Sequence, residues 1–399
     1  MKILLEGAVP VAYHPTGHLI FSQESAVMAA PFDPDTLEIT GPAVPVTEEN
    51  MALMPMFNFP MLFSFSKEGT LVYVPGTEDG PEVSVNRTLV WVDRAGNEEP
   101  VGVPPRPYTY VDLSPDGTRV AVLFTDPQNP FGQVDIWILD LTREPVSQQR
   151  LTFSPHPGYN PMWTPDSRRI VFGGLGDGGF ILSSMAANGT GAVESLHTSR
   201  DFLMASTWSK DGRTLIFEEI LGQSNSNIWA LSLDGEKAAR PLMTGSYKEE
   251  FPVISPDGRW IAYESDQSRP GGGGIYVQPF PNIDDGKWQI STRGGEAPLW
   301  GPKGRELYYY AGRMMAVMIE TEPAFAVGNP EVLFSGEYYV TLSNRPYDIS
   351  PDGKRFLMIK EAPEPSEAAA PVETPPITEL IVVDNWDAAL ERITPVEKK

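Results

Sequence analysis

The sequence contains no cysteine, so it offers no disulfide framework, no thiolate nucleophile and no zinc site with cysteine ligands. Basic residues are also scarce, with 30 Lys and Arg against 53 Asp and Glu and a formal net charge of −23. A phosphate backbone or an anionic membrane surface is bound by a basic face. We therefore expect no nucleic acid among the partners of this chain.

Long apolar runs and the short motifs of several enzyme classes are missing as well. No run of about 18 apolar residues occurs, so membrane insertion is not expected, and Met1–Gly7 is too short and too soon acidic for a signal peptide. The chain has no Gly-x-Ser-x-Gly elbow, phosphate-binding Gly-x-x-x-x-Gly-Lys loop, His-Glu-x-x-His pair or EF-hand loop. Its histidines, His14, His18, His156 and His197, share no metal-ligand spacing and are interpreted as surface residues. We expect neither a metal nor another cofactor.

Proline and glycine are abundant, with 40 and 36 residues, and both recur in one signature. In Leu113–Val122 a Ser-Pro-Asp-Gly segment separates two apolar runs. Pro restricts φ, Asp bonds its own backbone and Gly accepts positive φ, which predicts a tight turn. The turn glycine, or Ser167 in one copy, recurs at positions 17, 69, 117, 167, 212, 258, 304 and 353, at intervals of 45 to 52 residues. An apolar residue precedes it by four positions; Trp163, Trp208 and Trp300 stand there and are assigned to core packing.

This period indicates a repeat architecture. Two further strands can be placed around the hairpins, for example 227–232 and 240–243 after the turn at Gly212. Four strands in each repeat form one blade of a β-propeller. The sequence therefore predicts an all-β fold, with residues 1–399 as a single closed β-propeller domain of eight four-stranded blades. Seven blades are the alternative if the degenerate repeat around Gly17 or Gly69 is not a full blade.

The last repeat has only three candidate strands, at 347–349, 355–360 and 380–384. We expect the N-terminal residues 2–6 to supply the fourth strand of this blade and so to close the ring, which removes open sheet edges. Residues 361–378, rich in Pro, Ala and Glu, are predicted to form a mobile loop within the same blade. A short C-terminal helix is predicted over residues 386–393.

The Ser-Pro-Asp-Gly hairpins, with Trp or Ile before them and runs such as Ile261-Ala262-Tyr263 after them, resemble the TolB-type, WD-like propeller repeat. The opening segments Leu4–Gly7, Pro15–Ile20 and Ala30–Asp33 resemble the C-terminal propeller of certain bacterial receptor-like serine/threonine kinases. The motifs of the kinase domain itself are absent. The resemblance implies either a free-standing propeller or a piece of a longer chain. The compartment would be extracytoplasmic if the chain is cut from a receptor-like protein, and cytoplasmic otherwise.

Candidate site residues lie eight positions before each turn glycine, where the inner strand of a blade begins. This position holds Val9, Met61, Thr109, Tyr159, Met204, Glu250, Glu296 and Arg345. The starts of the inner strands surround one mouth of a propeller channel, and nearby connections add Arg200, Lys248 and Arg293. Two interpretations of the polar members stay open: an ion-pair network that holds blades together, and a polar ligand-binding mouth.

The favoured hypothesis is a non-catalytic binding or sensor propeller, because no catalytic constellation is evident. It would be a monomer that takes a peptide, a protein or a small molecule at the channel mouth. The alternative is a propeller enzyme that acts on carbohydrate, as a glycoside hydrolase or lyase, with Glu250 and Glu296 beside Arg345 as its acid and base groups. Sequence spacing does not separate the two, because such residues meet only in three dimensions.

Overall fold

The Ser-Pro-Asp-Gly signature forms a hydrogen-bonded tight turn. In the turn at Gly117, the glycine N–H donates to Ser114 O at 2.7 Å, and the glycine adopts a φ of 72°. The Asp116 carboxylate accepts from the Ser114 hydroxyl at 2.6 Å and from the Thr118 N–H at 2.9 Å. The turn is thus held by contacts among five consecutive residues, which explains why the sequence specifies it so clearly.

The structure, a computed structural model, describes residues 9–23, 26–47, 63–67, 69–73, 86–125, 134–153, 158–176, 178–221, 225–235, 237–268, 273–340, 345–362 and 381–394. The chain divides into two compact units. Unit 1 comprises Met1–Ser84 and Pro365–Lys399, and unit 2 comprises Val85–Glu364. The division separates the first two hairpins and the C-terminal segment from the other six hairpins. One domain over residues 1–399 stays a prediction.

Strands follow one another along the described chain, and a helix lies after the last of them. The segment before residue 85 contains β1 (Val9–His14), β2 (His18–Gln23), β3 (Ala26–Asp33), β4 (Glu38–Ile39), β5 (Val44–Pro45), β6 (Phe63–Phe65) and β7 (Leu71–Tyr73). The first half of unit 2 contains β8 (Arg87–Asp93), β9 (Glu98–Pro100), β10 (Tyr110–Leu113), β11 (Arg119–Thr125), β12 (Val134–Asp140), β13 (Ser147–Arg150), β14 (Tyr159–Trp163), β15 (Arg169–Gly176), β16 (Gly179–Ala186), β17 (Glu194–Ser199), β18 (Phe202–Trp208), β19 (Thr214–Ile220), β20 (Ser226–Ser232) and β21 (Ala239–Met243). Its second half contains β22 (Glu249–Ile254), β23 (Trp260–Ser265), β24 (Gly274–Pro279), β25 (Trp288–Gln289), β26 (Glu296–Trp300), β27 (Glu306–Tyr310), β28 (Met314–Glu320), β29 (Ala326–Val327), β30 (Glu331–Phe334), β31 (Tyr347–Ile349) and β32 (Arg355–Glu361). The C-terminal segment contains β33 (Ile381–Val383) and α1 (Trp386–Ile393).

Unit 2 consists of antiparallel sheets that we number from 1 to 6 by their first strands. Sheets 1 to 4 have the orders β10-β11-β12-β13, β14-β15-β16-β17, β18-β19-β20-β21 and β22-β23-β24-β25. In sheet 5 the order is β26-β27-β28-β29, and β30 also pairs with β28. Sheet 6 has the order β31-β32-β8-β9, so it joins the two ends of unit 2. The all-β, four-stranded design of the repeat is confirmed.

Hydrogen bonds link each sheet of unit 2 to the next. From sheet 1 onward they are Trp163 Nε1 to Asp112 O (3.0 Å), Trp208 Nε1 to Trp163 O (2.9 Å), Ile254 N to Thr207 Oγ1 (3.4 Å), Trp300 Nε1 to Val253 O (3.2 Å), Tyr347 OH to Ala297 O (2.6 Å) and Leu113 N to Asp348 Oδ2 (2.8 Å). The last bond joins sheet 6 to sheet 1, so each of the six sheets is bonded to two others, an arrangement consistent with the blades of a propeller. Trp163 and Trp300 are buried in the core and Trp208 is partly buried, so their assignment to packing is confirmed.

The predicted closure of the last blade is wrong. The blade that contains Gly353 takes its third and fourth strands from β8 and β9, with Arg355–Glu361 paired along Arg87–Asp93. Residues 2–6, which were expected to supply the fourth strand, lie outside the described residues. Eight blades, or seven, in one ring are therefore not confirmed. The sequence of β8 and β9 is typical of any two neighbouring strands. Only the long-range pairing of β8 with β32 shows which sheet the two strands complete.

Unit 1 holds the other two hairpins. Its sheets have the orders β1-β2-β3-β4, with β5 on β3, and β33-β7-β6. The strand predicted at 380–384 is present as β33 but pairs with β7, so the segment 361–378 does not connect two strands of the Gly353 blade. Residues 363–378 of that segment lie outside the described residues. The helix predicted over 386–393 is confirmed as α1, whose Trp386 and Leu390 are buried beside Ile20 and Leu71.

The interpretation of the histidines as surface residues is wrong for two of them. His14 and His18 are buried in unit 1. The Thr16 hydroxyl lies 2.8 Å from His14 Nδ1 and 2.9 Å from His18 Nδ1, so one side chain forms a hydrogen bond with the Nδ1 atom of each ring. The rings flank the first turn as the sequence places them, but packing around α1 covers them. His197 is half-buried in sheet 2, and His156 lies outside the described residues.

Candidate functional site

The inner strands of unit 2 carry β-bulges just where the candidate residues stand. In sheets 2, 4 and 5 the ladder shifts its register after Tyr159, Glu250 and Glu296. The next residue in each case has a positive φ: 45° at Asn160, 51° at Phe251 and 50° at Ala297. Non-glycine residues adopt this conformation uncommonly, and bulges are frequent beside functional sites because they redirect side chains. Three sheets therefore share one irregularity at the predicted mouth.

Four carboxylates of sheets 3 to 5 interact in this region, and we call them the carboxylate cluster: Glu218, Glu250, Glu264 and Glu296. Glu264 lies opposite Glu250 in the ladder of sheet 4. Its Oε2 accepts from the backbone N–H of Ala297, the bulge residue of sheet 5, at 3.3 Å. Glu218 accepts from the Ser206 hydroxyl at 2.8 Å and from the backbone of Phe251, the bulge residue of sheet 4. Each of these two carboxylates thus reaches from its own sheet to the bulge of the next.

The cluster has little positive charge to balance it. Lys248 Nζ pairs with Glu250 Oε1 at 2.8 Å. Burial raises the pKa of Glu218 and of Glu264 to about 8, and repulsion from Glu250 adds to both shifts. Burial also raises the pKa values of Glu250 and Glu296, and for Glu250 the neighbouring Lys248 opposes the shift. At neutral pH, protons on Glu218 and Glu264 therefore reduce the negative charge that the ammonium of Lys248 leaves unbalanced.

A pH dependence of stability follows from these shifts. A carboxyl whose folded pKa is raised binds more protons in the folded than in the unfolded state, so stability falls as pH rises between the two values. For Glu264 this window extends from its ordinary value of 4.5 to about 8. We expect Glu264→Gln, which cannot ionise but still accepts from Ala297, to reduce the loss of stability between about pH 5 and about pH 9. The urea midpoints of both chains at the two pH values measure this loss of stability.

Glu320→Gln, which changes an exposed carboxylate in sheet 5, is the control for this experiment and should leave the pH profile unchanged. If Glu264→Gln lost as much stability between these two pH values as the unmodified chain does, the raised pKa of Glu264 would be contradicted.

Arg345 lies in a different cluster. Its Nη2 is 3.5 Å from Asp112 Oδ1 of sheet 1, and its Nε donates to Tyr347 O at 3.1 Å. Asp112 and Asp348 are buried, which raises the pKa of both, and each accepts a backbone N–H from the next sheet, Trp163 at 2.9 Å and Leu113 at 2.8 Å. Of the two interpretations left open by the sequence, this arrangement favours the ion-pair network for Arg345, because its contacts link sheets 6, 1 and 2.

The other candidates are dispersed. Tyr159 is buried and stacks on Phe202 with ring centroids 4.4 Å apart, so its ring belongs to the core between sheets 2 and 3. Arg200 and Arg293 are exposed in the connections that precede β18 and β26. Of the seven candidates, the structure brings together Glu250, Glu296 and Lys248.

The sequence pattern missed Glu218 and Glu264, which lie on second strands. Both stand six residues after the turn glycine of their sheet. Each comes directly after an apolar run, Glu218 after Leu215-Ile216-Phe217 and Glu264 after Ile261-Ala262-Tyr263. A polar residue at the same repeat position in two successive sheets is the signal that could have found them. Asp112 and Asp348 carry a similar signal, because each directly precedes the apolar residue of its hairpin.

Neither a metal-binding cluster nor a membrane-spanning helix occurs in the part of the chain that the structure describes. No group of three or more His, Asp or Glu side chains there has metal-binding geometry. No helix there has the length and apolar character of a membrane span.

Comparison with known proteins identifies the family. The family model of the TolB beta propeller domain matches residues 64–303, from the hairpin at Gly69 to the turn of sheet 5. The chain belongs to this family. The predicted TolB-type repeat is thereby confirmed, whereas the resemblance to the propellers of receptor-like kinases stays a prediction.

Individual relatives of this TolB-family chain are distant. The uncharacterized protein Atu1656 of Agrobacterium fabrum is 27% identical over 208 residues, which span 49% of this chain and 67% of that protein. A solved structure assigned as TolB from Agrobacterium tumefaciens has a TM-score of 0.54 and 18% identity, covering 70% of this chain and 99% of that one. TolB from Acinetobacter baumannii has a TM-score of 0.46 and 17% identity, covering 72% of this chain and 67% of that one. At such identities the first structure supports the fold alone.

Proposed function

We propose that this TolB-family propeller is a non-catalytic binding module, which takes a positively charged group of a peptide, protein or small molecule at the carboxylate cluster. The supporting observation is the imbalance of charge there. Among the described residues, the four carboxylates of the cluster have one ammonium beside them, that of Lys248, which pairs with Glu250 and also attracts Glu264. Buried carboxylates are costly unless they are paired or protonated. A ligand ammonium or guanidinium would replace the protons with charged hydrogen bonds.

Glu296 is the carboxylate best placed to meet such a ligand. Its side chain is half-buried, and within the described residues it has no hydrogen-bond or ion-pair partner. Glu250, by contrast, is paired with Lys248, and Glu264 is bonded to the backbone of sheet 5. The ligand would therefore contact Glu296 first and then compete with Lys248 for Glu250. Arg345, which the sequence grouped with these residues, would stabilise the ring instead.

Glu296→Gln is expected to weaken the binding of a basic peptide by about tenfold or more, the loss that removal of one charged hydrogen bond produces. The probes are arrayed peptides of matched composition that carry Lys or Arg, or Glu in their place, and fluorescence anisotropy measures the affinity. Affinity should rise with pH across the raised pKa values, because binding expels protons from the cluster.

Glu331→Gln, which changes an exposed carboxylate of the same sheet, is the matched control and should bind as the unmodified chain does. Basic peptides that bind Glu296→Gln and the unmodified chain equally would refute the assignment.

A propeller enzyme that acts on carbohydrate is the second candidate, and the raised pKa of Glu264 favours it. A carboxyl group that stays protonated at neutral pH is suited to act as a general acid. Incubation with a panel of polysaccharides, followed by detection of new reducing ends or unsaturated products, tests this function. Turnover that Glu264→Gln abolishes would support the enzyme; turnover that it leaves intact, or no turnover, would reject it.

A further inference from the structure

The turn of sheet 5 departs from the repeat. In the other five sheets of unit 2 the residue before the turn glycine, or before Ser167, is an aspartate: Asp116, Asp166, Asp211, Asp257 and Asp352. Each accepts a hydrogen bond from the Ser or Thr hydroxyl two residues earlier, at 2.6 to 2.7 Å. Sheet 5 has Gly301 at the hydroxyl position and Lys303 at the aspartate position. It therefore gives up a stabilising contact that every sister turn keeps.

A second cation lies beside Lys303 without a carboxylate. The position after the turn glycine is basic in other sheets too, where Arg213 pairs with Asp234 at 3.5 Å and Arg259 with Asp257 at 2.8 Å. In sheet 5 this residue is Arg305, which has no ion pair within the described residues. Lys303 stands at the position from which Asp257 pairs with Arg259 in sheet 4, so Arg305 lacks the partner that the turn of sheet 4 provides. Two exposed cations are left side by side in a strongly acidic chain.

These cations line a cavity. Its volume is about 300 Å³, and its polar lining consists of Arg94, Lys303, Arg305, Glu306, Tyr308 and Asp352. This volume is at the lower end of the range for small-molecule sites. Three cations and two carboxylates give the cavity a net positive charge, whereas the whole chain carries −23.

Both carboxylates of the cavity are already engaged. Glu306 binds Arg94 through two contacts, at 2.6 and 3.1 Å. Asp352 accepts from the Ser350 hydroxyl at 2.7 Å and from the Lys354 N–H at 3.1 Å. Lys303 and Arg305 thus remain available to bind an anion.

Arg94 is held by Glu306 and Tyr308, next to the altered turn of sheet 5. It donates from Nη1 to the Tyr308 hydroxyl at 2.8 Å, in addition to its two bonds with Glu306. A guanidinium has five N–H donors, so two of them stay available. A Cβ at Gly301 would lie 3.2 Å from Tyr308 Cε2, tighter than ordinary contact. The serine of the sister turns would therefore press on the ring that positions Arg94.

We propose that this cavity, the sheet 5 turn pocket, binds a small ligand through its carboxylate or phosphate group, with Lys303, Arg305 and the free donors of Arg94 as the anion-binding groups. Guanidinium and ammonium donors form short, charge-assisted hydrogen bonds to such oxyanions. The pocket shares no lining residue with the carboxylate cluster, and the two attract ligands of opposite charge.

Isothermal titration calorimetry of the full chain at low ionic strength, with succinate and with inorganic phosphate as separate probes, tests the proposal. Saturable binding of at least one probe is expected. Tighter binding of succinate would indicate a carboxylate ligand, and tighter binding of phosphate would indicate a phosphate ligand. Lys303→Asp restores the residue of the sister turns and should leave the fold intact. This variant and Arg305→Ala should each weaken binding by about tenfold or more.

Arg213→Ala is the matched control, because Arg213 occupies the position of Arg305 in sheet 3, and its affinity should be unchanged. Succinamide, the neutral analogue of succinate, should not bind. The proposal is overturned if neither anion binds saturably, if binding survives Lys303→Asp and Arg305→Ala, or if Arg213→Ala weakens it equally. Thermal melting of every variant verifies that the loss is one of binding and not of folding.

Discussion

Replacement of Arg345 by alanine is expected to lower the free energy of unfolding of unit 2 by about 3–5 kcal/mol, the cost of breaking a buried ion pair from one side. The guanidinium interacts with Asp112 of sheet 1 and Asp348 of sheet 6, at the contact between these two sheets. Without it, two buried carboxylates face each other with no cation. A urea titration followed by circular dichroism measures the loss.

Two further variants decide whether charge is the cause. Arg200→Ala removes an exposed arginine from the same predicted set and should leave stability unchanged. Adding Asp112→Asn and Asp348→Asn to Arg345→Ala should recover part of the loss, since the amides are neutral and still accept from Trp163 and Leu113. An Arg345→Ala chain that keeps its full stability but loses affinity for a ligand would instead return Arg345 to the binding site.

Replacement of Trp163 by alanine is expected to destabilise unit 2 by about 3–5 kcal/mol, as large-to-small changes in a packed core do. Its side chain is only 2% exposed and packs between sheets 1 and 2. Its Nε1 donates to Asp112 O at 3.0 Å, and the Arg119 guanidinium lies 4.5 Å from the ring centroid. The change therefore removes core volume and one of the bonds that link consecutive sheets. The urea midpoint and slope report the effect.

Trp208→Ala is the matched comparison, because it changes the same repeat position in the next sheet. Trp208 is only partly buried, so its replacement should cost less than that of Trp163. Equal losses at the two positions would show that the shared bond to the preceding sheet, and not burial, dominates. Trp163→Phe, which keeps an aromatic ring but lacks the N–H and the larger indole, gives an upper limit for the contribution of that bond.

The repeated hairpin could be predicted from the sequence because its causes are local. The hydroxyl of Ser114, the carboxylate of Asp116 and the positive φ of Gly117 act within one turn. The same holds for α1, which was predicted at its observed bounds. The completion of sheet 6 by β8 and β9 was not predictable in this way, because β8 and β32 are separated by most of unit 2 and the residues of neither strand specify the partner.

The candidate site shows the same division. The repeat register found Glu250 and Glu296 because both stand at inner-strand starts, and Lys248 came from the adjoining connection. It also grouped Arg345 and Tyr159 with them, since equal repeat positions look equivalent in a sequence. In the structure Arg345 is paired with Asp112, and Tyr159 is stacked on Phe202. The neighbours of a side chain come from other sheets, and one repeat position does not specify them.

The sequence alone determined the all-β class, the TolB-type repeat and the positions of the repeated hairpin turns of unit 2, because each depends on residues within a few positions of one another. Only the tertiary structure decided that β8 and β9 complete sheet 6, that Glu218 and Glu264 join the carboxylate cluster, and that Lys303 and Arg305 border a cavity with Arg94. These features depend on contacts between residues far apart in the chain. Hydrogen bonding, desolvation and charge repulsion act over distances in space, which the order of residues in a sequence does not record.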